Sequence, residues 1–76
     1  MNNNRRKRIQ KILDSLSDLR AELDEIREEE QEAYENMPES FQDGERGEKS
    51  QSAIDNLDNA ISEIESSEES LQEALE

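Results

Sequence analysis

The stretch YENMPESFQDGERGEK, residues 34–49, decides the fold of this chain. It contains the only proline, both glycines, the only tyrosine and the only phenylalanine of the sequence. Proline disfavours helix at the residue before it, and the pairs Asp43-Gly44 and Arg46-Gly47 are typical of turns. Strongly periodic, charged sequence without these residues lies on both sides. We interpret the stretch as a connector that turns a second helix back against a first.

The apolar residues before the connector recur at alternating steps of three and four. They are Ile9, Ile12, Leu16, Leu19, Leu23 and Ile26, and the same steps continue to Glu30, Ala33 and Met37. This is the spacing of a heptad, and it predicts a helix over about residues 5–36. Glu30 is the only polar residue in this stripe.

A second stripe follows the connector with the same steps. It consists of Ile54, Leu57, Ile61, Ile64, Glu68, Leu71 and Leu75. A neighbouring file of small residues (Ala53, Ala60, Ser67 and Ala74) would let another helix approach closely. The pattern predicts a helix over about residues 50–75, with a possible start as early as Gly44. Like Glu30, Glu68 interrupts its stripe, and these two glutamates either set register and partner choice or mark contact with a partner.

These patterns predict a single all-α domain over residues 1–76, with helix 1 at about 5–36, a connector at 37–49 and helix 2 at about 50–75. Two helices joined by a compact turn pack as an antiparallel, coiled-coil-like hairpin. In a lone hairpin the two stripes are only half covered, and each large aliphatic side chain contributes about 1.5–3 kcal/mol when fully buried. We therefore expect a homodimer that forms a four-helix bundle.

The composition argues against catalysis. The chain has no cysteine and no histidine, so disulfides, thiolate metal sites and the commonest general base are excluded. No nucleophile–base pair, phosphate-binding glycine loop or metal loop is recognisable. We expect no enzyme activity, no cofactor and no metal. No signal-peptide core or membrane span is present, which favours a cytoplasmic protein without membrane contact.

The net charge of −13 is unevenly distributed, because the bases cluster at the start of the chain. The cluster contains Arg5, Arg6, Lys7, Arg8 and Lys11. One interpretation is pairing with the acidic end of helix 2. The other is a contact with an anion or nucleic acid, for which Arg5, Arg6, Lys7 and Arg8 are the candidate residues. Over the rest of the acidic surface we expect no direct binding of nucleic acid.

The connector carries a second set of candidate residues: Tyr34, Met37, Pro38 and Phe41. They form either a hydrophobic cap on one end of the helices or a recognition patch for a partner protein, since loops on rigid scaffolds often carry function.

The central EAYENMPESFQ, residues 32–42, followed by ERGE at 45–48, resembles small acidic helical-hairpin proteins of phage and prophage genomes. These carry a core of Tyr-x-Asn-hydrophobic-Pro-Glu-Ser-hydrophobic-Gln between two helical segments. The resemblance implies a viral or mobile-element context and a helical hairpin, but no activity. Our leading hypothesis is a non-enzymatic protein that acts by protein–protein interaction. An alternative is an acidic mimic of nucleic acid that inhibits a DNA- or RNA-binding protein, and a lesser one is binding of a ligand or nucleic acid through the basic N-terminus.

Overall fold

A computed structural model describes all 76 residues, and the fold consists of three helices. Helix α1 spans Asn3–Glu35, the short α2 spans Glu39–Gln42, and α3 spans Glu45–Leu75. The molecule is elongated, with extents of 58 × 15 × 12 Å. The predicted all-α class is confirmed. Neither long helix contains an apolar stretch that could span a bilayer.

Local hydrogen bonds explain where the first two helices begin and end. The Asn2 side chain caps α1 by accepting a hydrogen bond from the backbone N–H of Arg5 at 2.8 Å. Pro38 follows the end of α1 and serves as the N-cap of α2. The Gln42 side chain then reaches back and donates to the Tyr34 carbonyl at 3.0 Å. This bond ties α2 to the last turn of α1.

Helix α3 begins at Glu45, at the early end of the predicted range, so the predicted turn at Arg46-Gly47 is wrong. Gly47 is buried inside the first turns of α3, where it contacts α2. A Cβ at Gly47 would lie 1.9 Å from the carbonyl oxygen of Gln42. This glycine therefore serves close packing of one backbone on another, not a turn conformation.

Helices α1 and α3 lie against each other in opposite directions. Arg20 contacts Glu68, Arg27 contacts Asp58, and Glu30 contacts Ser50. Residue numbers therefore rise along α1 in the direction in which they fall along α3. The hydrophobic core between the helices is small: only Leu13, Ile54 and Ile61 are buried, with 6%, 3% and 8% of their surface exposed.

The face of α1 that contacts α3 is rotated from the predicted stripe. Ile12, Leu19 and Ile26 were expected in the core, but they are 51%, 53% and 44% exposed. The better-covered positions of α1 between residues 9 and 34 are Ile9, Leu13, Leu16, Arg20, Leu23, Arg27, Glu30, Gln31 and Tyr34. All but Gln31 keep the alternating steps of three and four, with Arg20 and Arg27 in place of the exposed aliphatic residues.

Candidate interaction surface

Two arginines of α1 form ion pairs across the helix interface. Arg20 Nε lies 2.6 Å from Glu68 Oε1 and Arg20 Nη2 lies 3.3 Å from Glu68 Oε2, so the ion pair is bidentate. The hydrogen bond and the charge of Glu68 raise the pKa of the Arg20 guanidinium. Arg27 Nε lies 3.0 Å from Asp58 Oδ1, and this contact likewise raises the pKa of Arg27. Both arginines lie at the edge of the helix interface, with 31% and 27% of their side chains exposed.

The third polar contact involves the other glutamate that interrupts a stripe. The hydroxyl of Ser50, a residue only 4% exposed, donates to Glu30 Oε1 at 2.7 Å. Glu30 and Glu68 thus both have partners across the interface between α1 and α3. Because each contact joins one position to one opposite position, the three contacts together fix the register of the helices.

Sequence reasoning missed the roles of Arg20 and Arg27. The available signal was their position: each follows a predicted stripe residue, Leu19 or Ile26, and they are seven residues apart. Hydropathy favoured the aliphatic neighbours. The acids that pair with the two arginines lie more than thirty residues away along the chain.

The residues displaced from the core form a row on the outside of α1, and we call Ile12, Leu19 and Ile26 the outer stripe. They precede the inward-facing positions 13, 20 and 27 by one residue. The small-residue file of α3 (Ala53, Ala60, Ser67 and Ala74) likewise precedes the inward-facing positions 54, 61, 68 and 75. In an antiparallel helix pair, the residues that precede the inward-facing positions by one lie on the same side of the pair for both helices. The outer stripe and the small residues therefore form one surface.

The candidate anion-binding residues Arg5, Arg6, Lys7 and Arg8, which we call the basic segment, are all exposed. None of them forms an ion pair within the chain. The expected pairing with the acidic end of α3 is therefore not formed. Glu68 is occupied by Arg20, and the register between the helices brings the end of α3 level with about residue 13. The basic segment extends beyond that end.

The candidate partner-binding residues of the connector divide into two groups. Tyr34 and Met37 are half-buried, as expected for a cap on the end of the helix pair, whereas Pro38 and Phe41 are exposed. The Arg46 guanidinium lies 5.2 Å from the centre of the Phe41 ring, within reach of a cation–π interaction. Contact between these residues and a partner protein stays a prediction.

The acidic side chains are dispersed over the surface. Asp24, Glu25, Glu28 and Glu29 line a shallow depression on α1. Nowhere do three or more carboxylates converge in a way that could hold a metal ion. Their shared property is negative potential over an extended surface.

No protein-family model, curated protein or solved structure matches this chain. The resemblance to small phage proteins therefore stays a prediction. The case for a function rests on the surface that the fold creates.

Proposed function

We propose that the protein is non-enzymatic and acts by protein–protein interaction, as a helical hairpin that dimerises into a four-helix bundle. The observation that supports this proposal is the outer stripe. Isolated exposed aliphatic residues are common, but these three recur every seven residues on one face of a highly charged helix, and such regular spacing favours an interface. A second copy with the same surface would cover the row, and the small residues of α3 beside it would allow close approach.

The exposed fractions give the scale of the effect. About half of each outer-stripe side chain is already covered within the chain. Burying the other half contributes about 1 kcal/mol per side chain, and a symmetric dimer counts each side chain twice. With only three hydrophobic residues buried in the single chain, this is a large addition to its core.

Sedimentation equilibrium tests the dimer. We expect twice the chain mass of 8.8 kDa at micromolar concentration. Leu19→Glu places a charge in the interface and should shift the protein to monomer, weakening association by about 100-fold through lost burial and charge desolvation. Ser17→Glu adds the same charge at an exposed position off the outer stripe and should leave the dimer intact. A wild-type protein that stays monomeric, with a melting midpoint independent of concentration, would refute the proposal.

The same architecture presents a surface for a different protein, one encountered in a phage or mobile-element context. Exposed Phe41 and Pro38 offer an apolar contact on the connector. The acidic surface offers a second mode, mimicry of nucleic acid, because only Glu28, Glu45, Asp58 and Glu68 among the acids form ion pairs. Most of the other carboxylates are exposed and available to a basic partner.

Salt separates the two modes, because charge-based binding weakens steeply with ionic strength and apolar docking does not. We would immobilise the wild-type protein and the Phe41→Ser variant and capture partners from cell lysate at low and high salt. Partners retained at high salt and lost with Phe41→Ser support apolar docking. Partners lost at high salt but retained by Phe41→Ser support mimicry. Capture of nothing at either salt concentration would argue against both.

A further inference from the structure

We infer that the second copy binds antiparallel along α1, about a two-fold axis at Leu19, with Arg8 of each copy beside Glu29 of the other. The inference rests on the proposed dimer and adds its orientation and its electrostatic basis.

The apolar part of the surface is symmetric about Leu19. Ile12 and Ile26 lie seven residues before and after it, and all three are about half exposed. In an antiparallel pairing centred on Leu19, Ile12 faces the partner's Ile26 and Leu19 faces the partner's Leu19. A two-fold interface requires such a self-complementary surface.

The polar residues beside the outer stripe have nearly the same symmetry, with opposite charges at the two ends of the row. Arg8, Ser15, Glu22 and Glu29 recur every seven residues, are all exposed, and neighbour the outer stripe at helical steps of three and four. Antiparallel pairing brings Arg8 within one residue, about 1.5 Å, of the level of the partner's Glu29, and Ser15 equally close to the level of the partner's Glu22. Parallel pairing in register would place Arg8 against Arg8 and Glu29 against Glu29, which is repulsive.

Neither Arg8 nor Glu29 has a partner of opposite charge elsewhere in the fold. No ion pair within the chain includes either residue. Two chains of net charge −13 repel each other. Antiparallel pairing offsets part of this repulsion because each copy's Arg8 lies beside the other's Glu29.

Cysteine cross-linking tests the orientation on a chain that has no native cysteine. Isotope-labelled Ile12→Cys protein is mixed with unlabelled Ile26→Cys protein and oxidised in a glutathione buffer, and the masses of the disulfide-linked species are measured. We expect mainly the mixed-mass species. In this arrangement two cysteines at position 12 lie fourteen helical positions apart, about 21 Å, which is too far for a disulfide. Ser17→Cys, off the outer stripe, should form no cross-link with any of these variants.

Each other outcome has a distinct meaning. Disulfides formed by Ile12→Cys alone would show a parallel pairing and overturn the inference. Disulfides between Ile26→Cys and Ala60→Cys would show docking on the small residues of α3 and also overturn it. No cross-link in a protein that sediments as a dimer refutes the orientation alone, whereas a monomer mass refutes the proposed dimer itself.

Charge reversal gives an independent measurement by sedimentation. Arg8→Glu should weaken the dimer about tenfold at low salt, because two ion pairs per dimer become repulsive. Adding Glu29→Arg to the same chain restores opposite charges across the antiparallel interface and should recover most of the affinity. A double variant no tighter than Arg8→Glu would overturn the predicted pairing.

Discussion

Replacing Gly47 with alanine sets helix propensity against packing, and the two effects have opposite signs. Gly47 lies inside α3, where alanine normally stabilises a helix by about 1 kcal/mol. In this fold the new Cβ would lie 1.9 Å from the carbonyl oxygen of Gln42, 2.5 Å from its carbonyl carbon and 2.7 Å from its Cα. Relieving these contacts requires a shift of more than about 1 Å, since non-bonded carbon atoms prefer about 3.5–4.0 Å.

The packing cost should exceed the propensity gain. The obstructing atoms belong to the backbone, so no side-chain rotation can relieve the contact. Overpacking of this kind costs about 1–3 kcal/mol or more. We expect Gly47→Ala to lower the free energy of unfolding by about 1–2 kcal/mol net, which corresponds to a fall in melting temperature of roughly 5–15 °C.

Circular dichroism at 222 nm, with thermal and urea melts at one fixed protein concentration, measures this effect. Gly44→Ala is the matched control, because its Cβ would lie 3.3 Å from the Ser40 carbonyl oxygen, so a shift of a few tenths of an ångström would suffice. We expect a much smaller loss of stability for this control. If Gly47→Ala instead raises the melting temperature, helix propensity outweighs packing, and the close contact of Gly47 with the Gln42 backbone would be refuted.

Three further predictions concern the polar contacts. Arg20→Ala and Glu68→Ala should each lower the melting temperature, and a double-mutant cycle should show coupling that shrinks as salt is raised; equal coupling at all salt concentrations would contradict an ionic contact. Ser50→Ala should cost about 1–2 kcal/mol in a urea melt by leaving the Glu30 carboxylate unpaired, and Glu30→Gln should reduce that cost; additive effects would mean that the two residues do not interact. Gln42→Ala removes the hydrogen bond to the last turn of α1 and should cost about 1 kcal/mol, with faster amide exchange confined to that end of the molecule; unchanged exchange there would argue against the tie.

Much of the secondary structure could be predicted because its signals are local. The heptad steps defined two long helices, and Pro38 marked the end of the first. The start of α3 could not be predicted to the residue, because glycine has low helix propensity whether it lies in a turn or in a close contact. Only the neighbouring backbone of Gln42 distinguishes these uses.

The candidate site was harder to predict, because the sequence does not say which file of a helix faces its partner. The files through Leu19 and Arg20 both keep the alternating steps of three and four, and they lie about 100° apart around the helix. Hydropathy favours the first for the core. In the fold Arg20 and Arg27 occupy the inward-facing positions, and their guanidinium groups reach Glu68 and Asp58.

The sequence by itself determined two amphipathic, charged helices, the segment that separates them and the clustering of bases at the start of the chain, because each depends on neighbouring residues only. The tertiary structure decided which face of α1 meets α3, the partners of Glu30 and Glu68, and the exposure of the outer stripe. These depend on the register between the two helices, that is, on which residue of α1 lies level with which residue of α3. Periodicity repeats along each helix and is compatible with several registers, whereas a few cross-helix hydrogen bonds select one.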